Sequence, residues 1–353
     1  MGIYYCFIIL LSILSIADSN LGLKKYRQII AIFFILMLGF FAGFRGDDPD
    51  YYNYTQAFID VGRGYDSISD VGFNVINRFL NYISNDAIIM FLFVALLSTS
   101  LNIKAFYKYT PYISVCILLY FVHNFALKEM IQIRAGLACA ICLYSIALLY
   151  KEQYKRTIML WAFAMTIHMS SIIWVMVYLL YYFKPSKKVI TFAIIISLIV
   201  GSIYPFGQII KSFTNIGDIS ERVDAYVAYG DSGFAASIGI WTNVNTIKSL
   251  IICLGLLIFY DRFSRAFKYF QPLFLAYTVG LCWLLCFNDF AIIGARMSNM
   301  AMCSEPILLT YPYILFSKNS KISYTIALII LAIAIFMFNI GPNKITPYES
   351  YIL

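Results

Sequence analysis

Hydrophobic residues in this chain come in unbroken runs separated by short polar stretches. Segment 29–44 is almost wholly apolar. At ~1.5 Å per residue, a helix of that length approaches the ~30 Å hydrocarbon layer of a bilayer. The candidate spans are 2–17, 29–44, 87–103, 112–127, 135–150, 157–183, 189–205, 246–260, 271–287, 299–316 and 322–340. The roughly ten-residue alternation of a membrane β-barrel does not occur. The pattern predicts an all-α, polytopic transmembrane helical bundle of about 11–12 membrane segments, a single integral membrane domain over 1–353. Two long external loops interrupt it, about 45–86 and 206–245. Segment 1–17 lacks a basic leader and a small-residue cleavage site, so it reads as a first span and not as a cleaved signal.

One run departs from the simple pattern. Segment 157–183 is too long for one ordinary span and very short for two, and Thr166, His168, Ser170 and Ser171 interrupt its middle. Two half-helices meeting there would return the chain to the side it left. With such a hairpin, six basic clusters share one face: Lys24, Lys25 and Arg27; Lys104 and Lys108; Lys151, Lys155 and Arg156; Lys184, Lys187 and Lys188; Arg262, Arg265 and Lys268; Lys318 and Lys321. Of the 18 acidic residues only Asp18, Glu152 and Asp261 join them. A single crossing would place the last three clusters on the opposite side. The positive-inside rule therefore selects the hairpin and puts both termini outside.

Composition agrees with this reading. The chain is 61% hydrophobic and only 12% charged, too few charges to coat a soluble surface. The formal charge of +8 would suggest nucleic acid in a soluble protein. Here it reflects cytoplasmic loops, and no nucleic-acid partner is expected.

Arg45, Arg134 and Arg296 fall on the outer face, where topology gives them no task and hydrocarbon makes them costly unless paired or wet. Together with His168 they suggest a shared anionic site, although a snorkelling or ion-paired arginine explains any one alone. The first loop opens with Gly43, Phe44, Arg45, Gly46, Asp47, Asp48, Pro49, Asp50, Tyr51, Tyr52, Asn53 and Tyr54. Carboxylates accept sugar hydroxyls, tyrosines stack on pyranose faces and arginine holds phosphate, so the mixture suits a carbohydrate. A solvated turn with interfacial tyrosines is the plainer alternative. Further on, Val71, Val75, Ile76, Phe79, Leu80 and Ile83 recur at helical spacing with Asn74, Asn77, Arg78 and Asn81 between them. That spacing predicts an amphipathic helix lying in the interface.

The second loop, with Asp218, Glu221, Arg222, Asp224, Tyr226, Tyr229, Asp231 and Trp241, is long enough for a lid or binding loop. His168 sits at a break of the kind that presents irregular backbone to cavities, whereas His123 reads as a packing residue. Cys139 and Cys142 form a C-x-x-C inside a span, without the roughly four ligands that zinc needs. They read as helix-packing residues, and neither metal nor cofactor is expected.

Five places together resemble the EpsG-type family of polysaccharide polymerases, within the broad group of O-antigen polymerases called Wzy. Gly43, Phe44 and Arg45 lead to Asp50, Tyr51 and Tyr54. Asp70, Val71, Gly72 and Phe73 resemble an acidic-x-Gly-aromatic step. Ile133, Arg134, Ala135 and Gly136 begin a span with arginine. His168, Met169 and Ser170 mark a histidine-x-serine break, and Ala295, Arg296, Met297, Ser298 and Asn299 open a late span. The matches run from about residue 43 to residue 300. More distantly, the family is similar to the GT-C glycosyltransferases.

The resemblance implies glycosyl transfer on the periplasmic face of a bacterial inner membrane. A saccharide on undecaprenyl diphosphate would be joined to another lipid-linked repeat unit, among membrane lipids and with room for a chain-length-regulating partner. The residues suit that chemistry. Arg45, Arg134 and Arg296 would stabilise charge on the departing diphosphate. Tyr51 and Tyr54 would contact sugar. Asp50 would activate the acceptor hydroxyl, with Asp47, Asp48 or His168 as substitutes. Competing readings are a single-sugar glycosyltransferase, a flippase or transporter for a lipid-linked glycan, and a membrane acyltransferase using His168. A flippase would line its path with mid-span charges, and nearly all span centres here lack them.

Overall fold

The computed structural model describes residues 1–21, 23–46, 50–66, 68, 70–204, 206, 238–339 and 346–351. These residues are helical and contain no strand beyond an isolated bridge between Arg45 and Ser350. They pack as two compact units, Met1–Met169 with Pro306–Leu353, and Ser170–Glu305.

The first unit holds α1 (Gly2–Leu21), α2 (Arg27–Gly43), α3 (Tyr51–Gly62), α4 (Val71–Asn81), α5 (Ile88–Tyr109), α6 (Ile113–Tyr120), α7 (Ile133–Tyr150) and α8 (Tyr154–Ile167). The second holds α9 (Ile173–Phe183), α10 (Lys187–Ile203), α11 (Val244–Ile258), α12 (Tyr260–Ala266), α13 (Phe270–Cys286) and α14 (Ala291–Ala301). The final helix, α15 (Lys318–Asn339), returns to the first unit.

Among the described residues, four unbroken helices are long and apolar enough to cross a bilayer: Gly2–Asn20, Ile88–Tyr109, Ile133–Tyr150 and Lys318–Asn339. The pair α11 and α12, bent by 72°, is a broken span or a re-entrant loop and makes a fifth when taken as one span, while α2, Met169–Phe183 and α13 are apolar but shorter. The expected spans are thus present as helices, several of them broken. Segment 299–316 is the clearest case. Pro306 and Pro312 each lack a backbone donor, and the chain beyond Ala301 advances as 3₁₀ turns and the one-turn helix Glu305–Leu308. Segment 157–183 breaks where its polar residues predicted. His168 takes an extended backbone (φ −154°, ψ 111°), and a 3₁₀ turn, Met169–Ile172, leads into α9.

The bundle is apolar outside. Ile9, Ile13, Ile29, Ile32, Ile330, Ile333 and Phe338 are exposed, which suits a lipid solvent and no other. Its polar groups face inward. After α6 the helix widens to a π-helix over Phe121–Glu129, which turns Glu129 into the packed interior. The Glu129 carboxylate accepts hydrogen bonds from Ser98 Oγ at 2.5 Å, Tyr120 OH at 2.9 Å and Asn102 Nδ2 at 3.1 Å. A buried carboxylate with three donors is satisfied; the same donors without it would each cost about 1–3 kcal/mol. Cys139 and Cys142 are buried free thiols, and Cys139 Sγ accepts from Lys128 Nζ at 3.0 Å.

Charge sorts the first unit end from end. Arg27 bonds the carbonyls of Tyr107 and Thr110, and Lys321 lies over the ring of Tyr112, so the basic loops gather at one end. At the other end the tail 346–351 pairs with the chain leaving α2: Gly46 N donates to Glu349 O and Tyr351 N to Phe44 O, both at 2.8 Å. Within the second unit, Lys187 lies 3.8 Å from Asp261 at one end, while Asn288 Nδ2 bonds Gly201 O at the other.

Helix α4 is amphipathic, as its spacing predicts. Val71, Val75, Phe79 and Ile83 are exposed, whereas Asn74 and Asn77 are buried. The exposed apolar face fits an interfacial position. Gly72 lets α4 meet the end of α8: a Cβ there would collide with the Thr166 side chain and lie 2.9 Å from its backbone carbonyl carbon. No larger residue allows that approach, which fixes the neighbouring Asp70 in place.

Candidate functional site

The segment expected as an external loop contains two helices, α3 and α4, packed on each other at the end away from the basic loops. Asp50 is the residue just before α3, and Tyr54 N–H bonds its carbonyl at 3.1 Å. Asp50, Tyr54, Ala57 and Asp60 follow at helical spacing, so they share a face. That face lines a cleft of about 320 Å³ whose wall also includes Tyr52, Asn53, Gln56, Ile68 and Arg134.

Arg134, at the start of α7, brings the first half of this cleft together. Its guanidinium pairs with the Asp70 carboxylate, which is mostly buried at the start of α4. It also hydrogen-bonds the Tyr54 phenol and lies 5.6 Å from that ring's centroid. Burial pushes the Tyr54 phenol above its ordinary range, while the Arg134 charge and hydrogen bond pull it back; the phenol stays protonated at neutral pH. The Arg134 Nε donor is buried with no partner among the described residues. The side chain is 26% exposed and lines the cleft, so part of the guanidinium remains accessible beyond its pair with Asp70.

Of the residues singled out in the sequence, Asp50, Tyr54 and Arg134 thus meet at one cleft. Arg45 and Tyr51 depart from the expectation of substrate contact. Arg45 is 0% exposed. Its Nη1 donates to the carbonyls of Ala42 at 2.9 Å and Glu129 at 3.1 Å, and its Cζ stands 4.5 Å from the Phe91 centroid. Tyr51 stacks on Phe91 at 4.8 Å. Both fasten the entry to α3, because an arginine at the membrane surface is cheapest where backbone carbonyls and an aromatic face satisfy it.

His168 is half-buried just beyond the α8 turn that packs on Gly72, and is not part of the cleft wall. Arg296 is exposed on α14 in the second unit. Asp47 and Asp48 lie outside the described residues, as does most of the second loop, including Asp218, Glu221, Arg222, Asp224, Tyr226, Tyr229 and Asp231. Trp241 is exposed. No group of three or more His, Cys, Asp or Glu side chains suited to a metal occurs among the described residues.

Sequence reasoning missed Asp60, Asn53 and Gln56. The signal was present: an i, i+3, i+7, i+10 recurrence of polar and small residues from Asp50, hidden because the stretch looked like a turn-rich loop.

The fold and cleft define a polytopic helical membrane protein with a polar, carboxylate- and arginine-bearing cleft at one end. The EpsG family profile matches residues 28–350, and the chain belongs to the EpsG family. It is also similar to the amylovoran biosynthesis protein AmsC of Erwinia amylovora, with 24% identity over 322 residues, covering 87% of this chain and 84% of the relative. No solved structure matches.

Proposed function

We propose that this chain is a polysaccharide polymerase that joins undecaprenyl-diphosphate-linked repeat units on the periplasmic face of the bacterial inner membrane. The family and the biosynthetic role in the relative's name support polysaccharide assembly. The observation that carries the reading further is the meeting of Asp50, Tyr54 and Arg134 at a cleft on the end away from the basic loops.

In the proposed step an acceptor sugar hydroxyl attacks the anomeric carbon of the donor saccharide. A new C–O bond forms as the bond from that carbon to the diphosphate oxygen breaks, and its electron pair leaves with the lipid diphosphate. Asp50 takes the hydroxyl proton. Diphosphate is a good leaving group, so no general acid is needed, only cations for the developing charge. Arg134, whose side chain is partly exposed at the cleft, supplies one in competition with Asp70. Tyr54, protonated, donates to a sugar or phosphate oxygen.

Deletion of the gene tests this reading. Gel analysis of the surface glycan should show core plus one repeat unit and no ladder. Loss of all external repeats would point to a flippase, and an intact ladder would remove the polymerase reading.

A further inference from the structure

The cleft holds a second carboxylate that the transfer step does not use. Asp60 lines it with Asn53, Gln56 and Tyr52. The shared face of α3 runs ten residues from Asp50, which at ~1.5 Å per residue is ~15 Å, longer than one pyranose ring. Arg134 meets this face in its first half, at Tyr54. No hydrogen bond or ion pair engages the Asp60 carboxylate among the described residues.

The two halves of the cleft therefore differ in chemistry. One end has a guanidinium with donor capacity, suited to an oxyanion. The other has an uncompensated, half-exposed carboxylate with the Gln56 amide one helical turn before it, a wall that accepts hydrogen bonds and repels anions. Hydroxyl groups of an uncharged sugar complement such a wall; a carboxylated or phosphorylated sugar does not.

We infer that the stretch from Gln56 to Asp60 binds the acceptor saccharide beyond its reacting sugar, and that Asp60 selects neutral, hydroxyl-rich rings there. This inference rests on the polymerase reading of the same cleft. Asp60 in this role touches substrate and sets acceptor affinity, while Asp50 sets turnover.

The test uses the full chain in lipid nanodiscs and, as probe, the lipid-free repeat-unit oligosaccharide released by mild acid from a strain lacking the gene. Asp60→Asn should weaken equilibrium binding of this probe at least tenfold, with Asp60→Glu recovering part of the loss. Asp50→Asn should bind it within about threefold of wild type and yet fail to extend lipid-linked units. Oxidising the primary hydroxyls of the probe to carboxylates should weaken binding to the wild-type chain at least tenfold, an arm that needs no variant to fold. Equal binding of native and oxidised probe, or undiminished binding by Asp60→Asn, overturns the inference. The polymerase reading fails differently: the wild-type chain would bind the oligosaccharide and never extend the lipid-linked unit.

Discussion

Asparagine in place of Asp50 is expected to abolish chain extension while the protein still inserts. The amide matches the carboxylate in size and still accepts a hydrogen bond, but it cannot take the proton of the acceptor hydroxyl. Loss of a positioned general base typically costs 10²–10⁴-fold in rate, so complementation of a deletion strain with this variant should leave a single repeat unit on the glycan. Membrane levels equal to wild type separate this outcome from misfolding. A full ladder from Asp50→Asn would move the base to Asp47, Asp48 or His168.

Arg134→Ala is expected to lose polymerisation by about 10²-fold or more, for two reasons that can be told apart. The guanidinium holds Tyr54 and Asp70 at the cleft, and in the proposed step it also meets the diphosphate. Arg134→Lys keeps a positive charge for Asp70 but loses the planar fork and the contact over the Tyr54 ring, so it should restore membrane levels but little activity. Kinetics of membrane vesicles on extracted lipid-linked repeat units would read this out. Activity near wild type from the lysine variant would reduce Arg134 to a fastening role.

Much of the architecture was legible because lipid imposes a simple rule on sequence. Continuous apolar runs gave the helices, and the polar interruption around His168 marked a real break. The charge pattern separated the end with Arg27, Lys108 and Lys321 from the end with Arg134 and Asp70. What escaped was local. A proline pair fragments 299–316 into turns, and a run with no proline widens into a π-helix that buries Glu129. Neither the degree of fragmentation nor the π register follows from hydropathy; the π-helix turns Glu129 toward Ser98 and Asn102 on another helix.

The site was legible in part for a related reason. Residue type identified Asp50, Tyr54 and Arg134, since arginines and carboxylates at a membrane surface need a purpose. It could not separate Arg134, partly exposed at a cleft, from Arg45, wholly enclosed by carbonyls and Phe91. That distinction is one of burial, set by helices far apart in sequence. Asp60 was passed over because α3 lies in a stretch rich in Asp, Tyr and Asn that looks like loop until its helical spacing is counted.

In the proposed function, the cleft along α3 transfers saccharide from one lipid diphosphate to another lipid-linked saccharide. The most direct measurement incubates the purified chain in nanodiscs with lipid-linked repeat units alone, without nucleotide sugars, and follows extended glycan by gel and free lipid diphosphate by chromatography. The wild-type chain should yield a ladder of extended glycans with one free lipid diphosphate for each linkage formed, and Asp50→Asn neither product. Extension that depends on an added nucleotide sugar, or no extension by the wild-type chain, would contradict that function.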